Sequence, residues 1–161
     1  MRAENRFTLF LIPLSAWGIR MRPSLPLRAA SIVMLLFAIG HSSGGLSLWS
    51  PAGETDVLRA MRAFHFDTLG VSRSYLDFYI AFGYTLGVYQ LLQAIVFWQL
   101  ATLAKTDAAR IRPLIGAFLL AAVASTALAW RFLFVIPVVF CCMLVVCLAF
   151  AFHLAGKQQN A

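Results

Sequence analysis

The chain predicts an all-α fold: a four-helix transmembrane bundle with a short amphipathic helix on its outer surface. Three observations carry that expectation. Of 161 residues, 61% are hydrophobic and 12% charged, about half the charged share of a soluble domain, and the mean hydropathy is +0.83. Four apolar runs, 29–49, 75–103, 113–130 and 132–154, lie near the roughly 20 residues a spanning helix needs. Nearly all charged residues fall at the ends of these runs. So short a chain cannot hide this much apolar surface in a core of its own, so the bilayer must serve as solvent.

Three parts follow: an N-terminal cytoplasmic or interfacial segment 1–28, a four-span membrane domain 29–156, and a tail 157–161. Within the first, residues 7–18 are mostly apolar, contain Pro13, and are framed by Arg2 and Arg6 before and Arg20 and Arg22 after. That stretch is too short to span, and no small-residue cleavage site follows it. It reads either as an interfacial segment or as an extension ahead of a translation start at Met21 in place of Met1.

Arg20, Arg22 and Arg28 precede the first span, and Lys105, Arg110 and Arg112 face Asp107 in the loop between the second and third. The segment 50–73 is balanced, with Arg59, Arg62 and Arg73 against Glu54, Asp56 and Asp67. Basic flanks stay in the cytoplasm, so both termini are expected inside and 50–73 outside. In 54–66, Val57, Leu58, Ala60, Met61, Phe64 and Phe66 recur at helical spacing opposite Arg59 and Arg62, which predicts the surface helix. Thr55 or Asp56 caps it and Gly70 ends it. Trp130-Arg131-Phe132 is the turn of a tight hairpin between the last two spans.

Small-residue stripes predict close helix packing. Gly40 and Gly44 lie on the first span; Tyr79, Gly83, Gly87, Gln90 and Ala94 share a face of the second; Ala117, Ala121, Ser125 and Ala129 step by four along the third. Gln90 and Gln93 are expected to hydrogen-bond between helices, a contact of about 0.6–2 kcal/mol. Cys141, Cys142 and Cys147 sit in the last span without Cys-x-x-Cys spacing and read as small apolar residues.

The net charge of +7, from 13 basic and 6 acidic residues, forms no stripe interleaved with aromatics, which argues for membrane topology and against a nucleic-acid partner. The expected partners are membrane lipid and a partner subunit or second copy. On this topology the polar residues gather at the outer side: His41 late in the first span, Arg73, Asp77 and Tyr79 at the mouth of the second, Arg131 between the last two. They form a candidate ligand-binding cluster, with Asp77 as acceptor and Arg73 or Arg131 as its countercharge. A structural ion pair at a helix mouth accounts for Asp77 equally well. His41, His65 and Asp77 carry no fixed ligand spacing, so no metal and no cofactor is assigned. No Gly-x-Ser-x-Gly, Walker or dinucleotide fingerprint occurs, and no catalytic residue is assigned.

The run Arg73-Ser-Tyr-Leu-Asp-Phe-Tyr-Ile-Ala-Phe-Gly83, with Trp98-Gln-Leu100 and Arg112-Pro113 after it, resembles a group of small bacterial inner-membrane proteins with four spans and no assigned activity. The resemblance covers residues 41–137. It implies a bacterial plasma-membrane location and supplies neither a substrate nor a catalytic residue. The leading expectation is a non-enzymatic bundle whose outer cluster binds a lipid or small ligand or docks a partner. The alternative is a membrane enzyme or redox accessory with a metal or quinone there; a small transporter is disfavoured because four spans lack an internal repeat.

Overall fold

The computed structural model describes residues 22–159. Among them are five α-helices: α1 Ser24–Gly44, α2 Asp56–Ala63, α3 Tyr75–Leu103, α4 Ala108–Phe132 and α5 Val135–Gln159. A 3-10 turn, Gly45–Ser47, follows α1, and a two-stranded antiparallel hairpin, β1 His65–Thr68 and β2 Val71–Ser74, links α2 to α3. The apolar stretch 7–18 and the choice of start site lie outside the described residues.

Four of the helices are long and apolar enough to cross a membrane: Ser24–Ser47 with its 3-10 extension, Tyr75–Leu103, Ala108–Phe132 and Val135–Lys157. At most 33% of the most apolar stretch of any of them is buried within the protein. Large side chains such as Leu36, Ile39, Phe82, Leu120 and Val146 face outward, the surface that helices of this length and apolarity present to a bilayer. The chain is therefore a multi-pass membrane protein.

Several boundaries move from their expected places. α4 begins at Ala108, not at Pro113, because the Asp107 carboxylate accepts from the Arg110 backbone N–H at 3.1 Å and caps it. Arg131 belongs to the last turn of α4, and Leu133-Phe134 forms the link to α5. α2, in the segment expected to form a surface helix, stops at Ala63 and not at Gly70. Thr55 is its cap, accepting from Leu58 N at 3.3 Å, and of its expected apolar face only Leu58 is buried. Gly70 instead serves the hairpin, where Leu69 (φ 51°) and Gly70 (φ 80°) make the two-residue turn that matches strand twist.

α1 packs against α3 and α5, and α4 packs against α5, whereas α3 and α4, though consecutive, barely touch. The core explains the asymmetry. Leu27 and Ala30 of α1, Phe97 and Ala101 of α3, Ile111 and Ile115 of α4, and Leu148, Ala151 and Ala155 of α5 form one cluster near the end where α1 starts and α5 finishes. Ala94 and Ala101 of α3, Ala104 after it and Ala108 at the start of α4 are buried in the same cluster. Toward the hairpin end the two helices part above the edge-to-face pair Phe97–Phe118, whose centroids are 5.0 Å apart.

Candidate functional site

Trp49 organises the hairpin end. After α1 the chain reverses through a Schellman motif, with Trp49 N–H donating to Gly44 O at 2.8 Å and Leu48 N–H to Gly45 O at 3.0 Å. Leu48 (φ 52°) and Trp49 (φ 50°) both adopt left-handed backbone, which folds the indole back over α1. Its Nε1 donates to the His41 carbonyl at 2.8 Å. The ring stacks on His41 at 5.4 Å and meets Tyr84 and Tyr79 of α3 edge-on at 5.1 and 6.0 Å. His41 Nε2 lies 2.8 Å from Gly83 O; a carbonyl only accepts, so Nε2 carries the proton.

Glycines make room for this cluster. A Cβ on Gly44 would stand 2.8 Å from Trp49 Cδ1, and one on Gly83 would fall against the Trp49 benzo ring, 2.7 Å from Cζ2. One on Gly87 would stand 2.6 Å from Ser42 Oγ of α1. Together with Ser31 Oγ donating to Ala94 O at 2.7 Å, these contacts seat the small face of α3 on α1 as the stripe predicts. Gly40 has open space beside it, so the first-span stripe is not continuous.

The predicted polar cluster divides. His41 and Tyr79 both meet Trp49. Asp77 is the N3 residue of a capping box: its Oδ2 accepts from Ser74 N at 2.8 Å and Ser74 Oγ at 2.9 Å, while Asp77 N–H donates to Ser74 Oγ at 3.2 Å. Arg73 is not its ion-pair partner. It lies on β2, cross-strand from Phe66, and its Nη1 donates to Ser72 O at 2.9 Å. Arg131 is exposed, with its guanidinium 5.2 Å from the ring of its neighbour Phe132. Among the described residues the ion pairs are Arg59–Asp56 and Arg62–Glu54, both on the α2 segment. No group of three His, Cys, Asp or Glu side chains among them gathers as a metal site.

What the structure offers instead is a cleft of about 450 Å³ between the parted halves of α3 and α4, backed by α1 and α5. Leu86, Gln90 and Gln93 line it from α3, Phe118, Ala121, Ala122, Ser125 and Ala129 from α4, Phe37 from α1 and Cys141 from α5. Three of the four small residues of the α4 stripe, Ala121, Ser125 and Ala129, thus line a cleft, and Ala117 is exposed outside it. Gln90 is 3% exposed, and its Oε1 has no hydrogen-bond partner among the described residues. The expected interhelical bond from that oxygen is therefore absent. Among the described residues no charged side chain lines the cleft.

At the opposite end, Arg112 lays its guanidinium 4.3 Å from the Phe152 ring centroid and close upon Gly156, and Arg28 stands 4.8 Å from the Trp98 ring centroid. Both are cation–π placements that let long side chains lie along apolar surface. No protein-family model matches the chain, and no curated protein and no solved structure matches it either.

Proposed function

We propose that the chain is a non-enzymatic protein of the bacterial inner membrane that holds a lipophilic molecule in the cleft between α3 and α4. The single observation that carries this reading is the cleft itself. A volume of about 450 Å³ falls in the range of small-molecule sites, which are mostly apolar with a few placed polar groups.

Topology supports the same setting. Arg22, Arg28, Lys105, Arg110, Arg112 and Lys157 flank the spans at the end where α1 starts, which under the positive-inside rule favours cytoplasmic termini and puts α2 and the hairpin outside. Trp130, Phe132 and Phe134 are exposed at the far end, as aromatic side chains are at a membrane interface.

The test is extraction of the detergent-purified protein with organic solvent and mass spectrometry of what it releases. Ala121→Phe and Ser125→Phe place a ring in the cleft without disturbing a buried core position. A lipophile that co-purifies with the wild type and is depleted in both variants is the expected result. The same lipids from all three proteins, or a wild-type dimer that either variant dissociates, would overturn the reading.

A further inference from the structure

We infer that the seam between α4 and α5, at the end where α1 starts, seats the head group of an anionic phospholipid, with its phosphate held by Arg112 and assisted by Lys157. This site lies apart from the cleft between α3 and α4 and does not depend on what fills it. Three properties of the seam select such a lipid.

The first is a cation held in place without a countercharge. The Arg112 guanidinium lies 4.3 Å from the Phe152 ring centroid, and a Cβ on Gly156 would stand 3.1 Å from its Cζ. A Cβ on Gly116, one turn along α4, would stand 3.2 Å from Phe152 Cε2, so ring and guanidinium are each seated on a glycine of the facing helix. Arg112 is half-buried and makes no ion pair among the described residues. Its Nε is sealed off without a partner, which leaves the terminal Nη1 and Nη2 as the donors that an anion can reach. The second property is the surrounding charge. Arg22, Arg28, Lys105, Arg110 and Lys157 flank the spans at this end, and among the described residues only Asp107 opposes them, with its carboxylate engaged in capping α4. Lys157 follows Gly156 directly and is exposed; because consecutive Cα atoms are about 3.8 Å apart, its flexible chain reaches an anion seated on Arg112. Such a field favours a head group of net negative charge, and the ammonium of a zwitterionic lipid is repelled.

The third property is what lies along the seam from the guanidinium. At about 100° per residue, Arg112 shares one face of α4 with Gly116, Val123 and Ala127. Val123 and Ala127 line an apolar groove of about 650 Å³ together with Cys142 and Val146 of α5. From Arg112 to Val123 the helix rises about 16 Å, close to one leaflet of a roughly 30 Å hydrocarbon core. An acyl chain whose head sits on Arg112 therefore runs along the seam to this groove. A soluble phosphate would use the guanidinium and leave the groove bare.

The experiment uses the full chain in detergent, with native mass spectrometry as readout. The probes are phosphatidylglycerol and phosphatidylcholine with the same acyl chains, and glycerol phosphate as the soluble competitor. The wild type should bind phosphatidylglycerol about tenfold more tightly than phosphatidylcholine, the worth of one hydrogen bond to a charged group, and excess glycerol phosphate should not displace it. Arg112→Gln should lose the preference, whereas Arg112→Lys should keep part of it, since the charge stays and the planar fork is lost. Arg28→Gln removes an equal charge from the seam between α1 and α3, where Arg28 meets Trp98, and should keep the preference whole. Equal binding of both lipids to the wild type would overturn the inference. Equal losses in Arg28→Gln and Arg112→Gln would overturn it too, because they would mean diffuse charge without a site. Displacement by glycerol phosphate would overturn the lipid assignment. Should Arg112→Gln fail to fold, the wild-type preference and the contrast between Arg112→Lys and Arg28→Gln decide the same question.

Discussion

Replacing Gly83 by alanine tests whether Trp49 locks α1 to α3. At an open helical position, Gly→Ala stabilises by about 0.5–1 kcal/mol. At Gly83 the added methyl falls against the benzo ring of Trp49, 2.7 Å from Cζ2. That ring has little room to retreat, since its Nε1 holds the His41 carbonyl and its faces and edges meet His41, Tyr79 and Tyr84. Overpacking of this kind costs about 1–3 kcal/mol, so Gly83→Ala should lose about 1–2 kcal/mol net. In a Trp49→Leu background the obstacle is gone, and the same substitution should gain about 0.5 kcal/mol. The coupling between the two sites is then about 2 kcal/mol. Mixed-micelle denaturation followed by far-UV circular dichroism reads all four proteins. Neutral or stabilising Gly83→Ala with Trp49 in place would refute the lock.

The same assay checks four further substitutions. Gly40→Ala has open space for its methyl and should stabilise by about 0.5–1 kcal/mol; a loss would mean that Gly40 lies in an interface. Ser74→Ala removes the cap of α3, where Ser74 is 4% exposed, and should cost about 0.5–2 kcal/mol. Arg73→Ala should stay within about 0.5 kcal/mol, and an equal loss at both positions would restore the Arg73–Asp77 pair. Gln90→Leu relieves an unpaired buried oxygen and should raise the stability of protein freed of bound lipophile by about 1 kcal/mol; a loss would show that Gln90 is bonded within the bundle.

The long elements were legible because one physical quantity, apolar length, decides them. Runs at 75–103 and 132–154 correspond closely to α3 and α5. The α3 face holding Gly83, Gly87, Gln90 and Ala94 was legible as well, since small residues four apart permit backbone approach, and three of these four are buried. The site was much less so. Asp77 looked like a charge in search of a countercharge, yet Ser74-x-x-Asp77 is the spacing of a capping box, and a neutral partner three residues away suffices. The hairpin escaped notice because β1 and β2 have four residues each; the signal available was Leu69-Gly70 between two short runs. Trp49 carried only a weak signal, its place just after Gly44-Gly45. The cleft had none: Ala121, Ser125 and Ala129 read as a helix contact, and only the tertiary arrangement, with α3 leaning on α1 and α4 on α5, leaves them facing a gap.

The most direct test of the account is a density map of the protein in a lipid nanodisc, examined between Gln90 and Ser125. The account predicts α3 and α4 parted above Phe118, with elongated non-protein density between them. Closed helices, with the Gln90 amide bonded to Ser125 or Gln93 and no density between them, would contradict it.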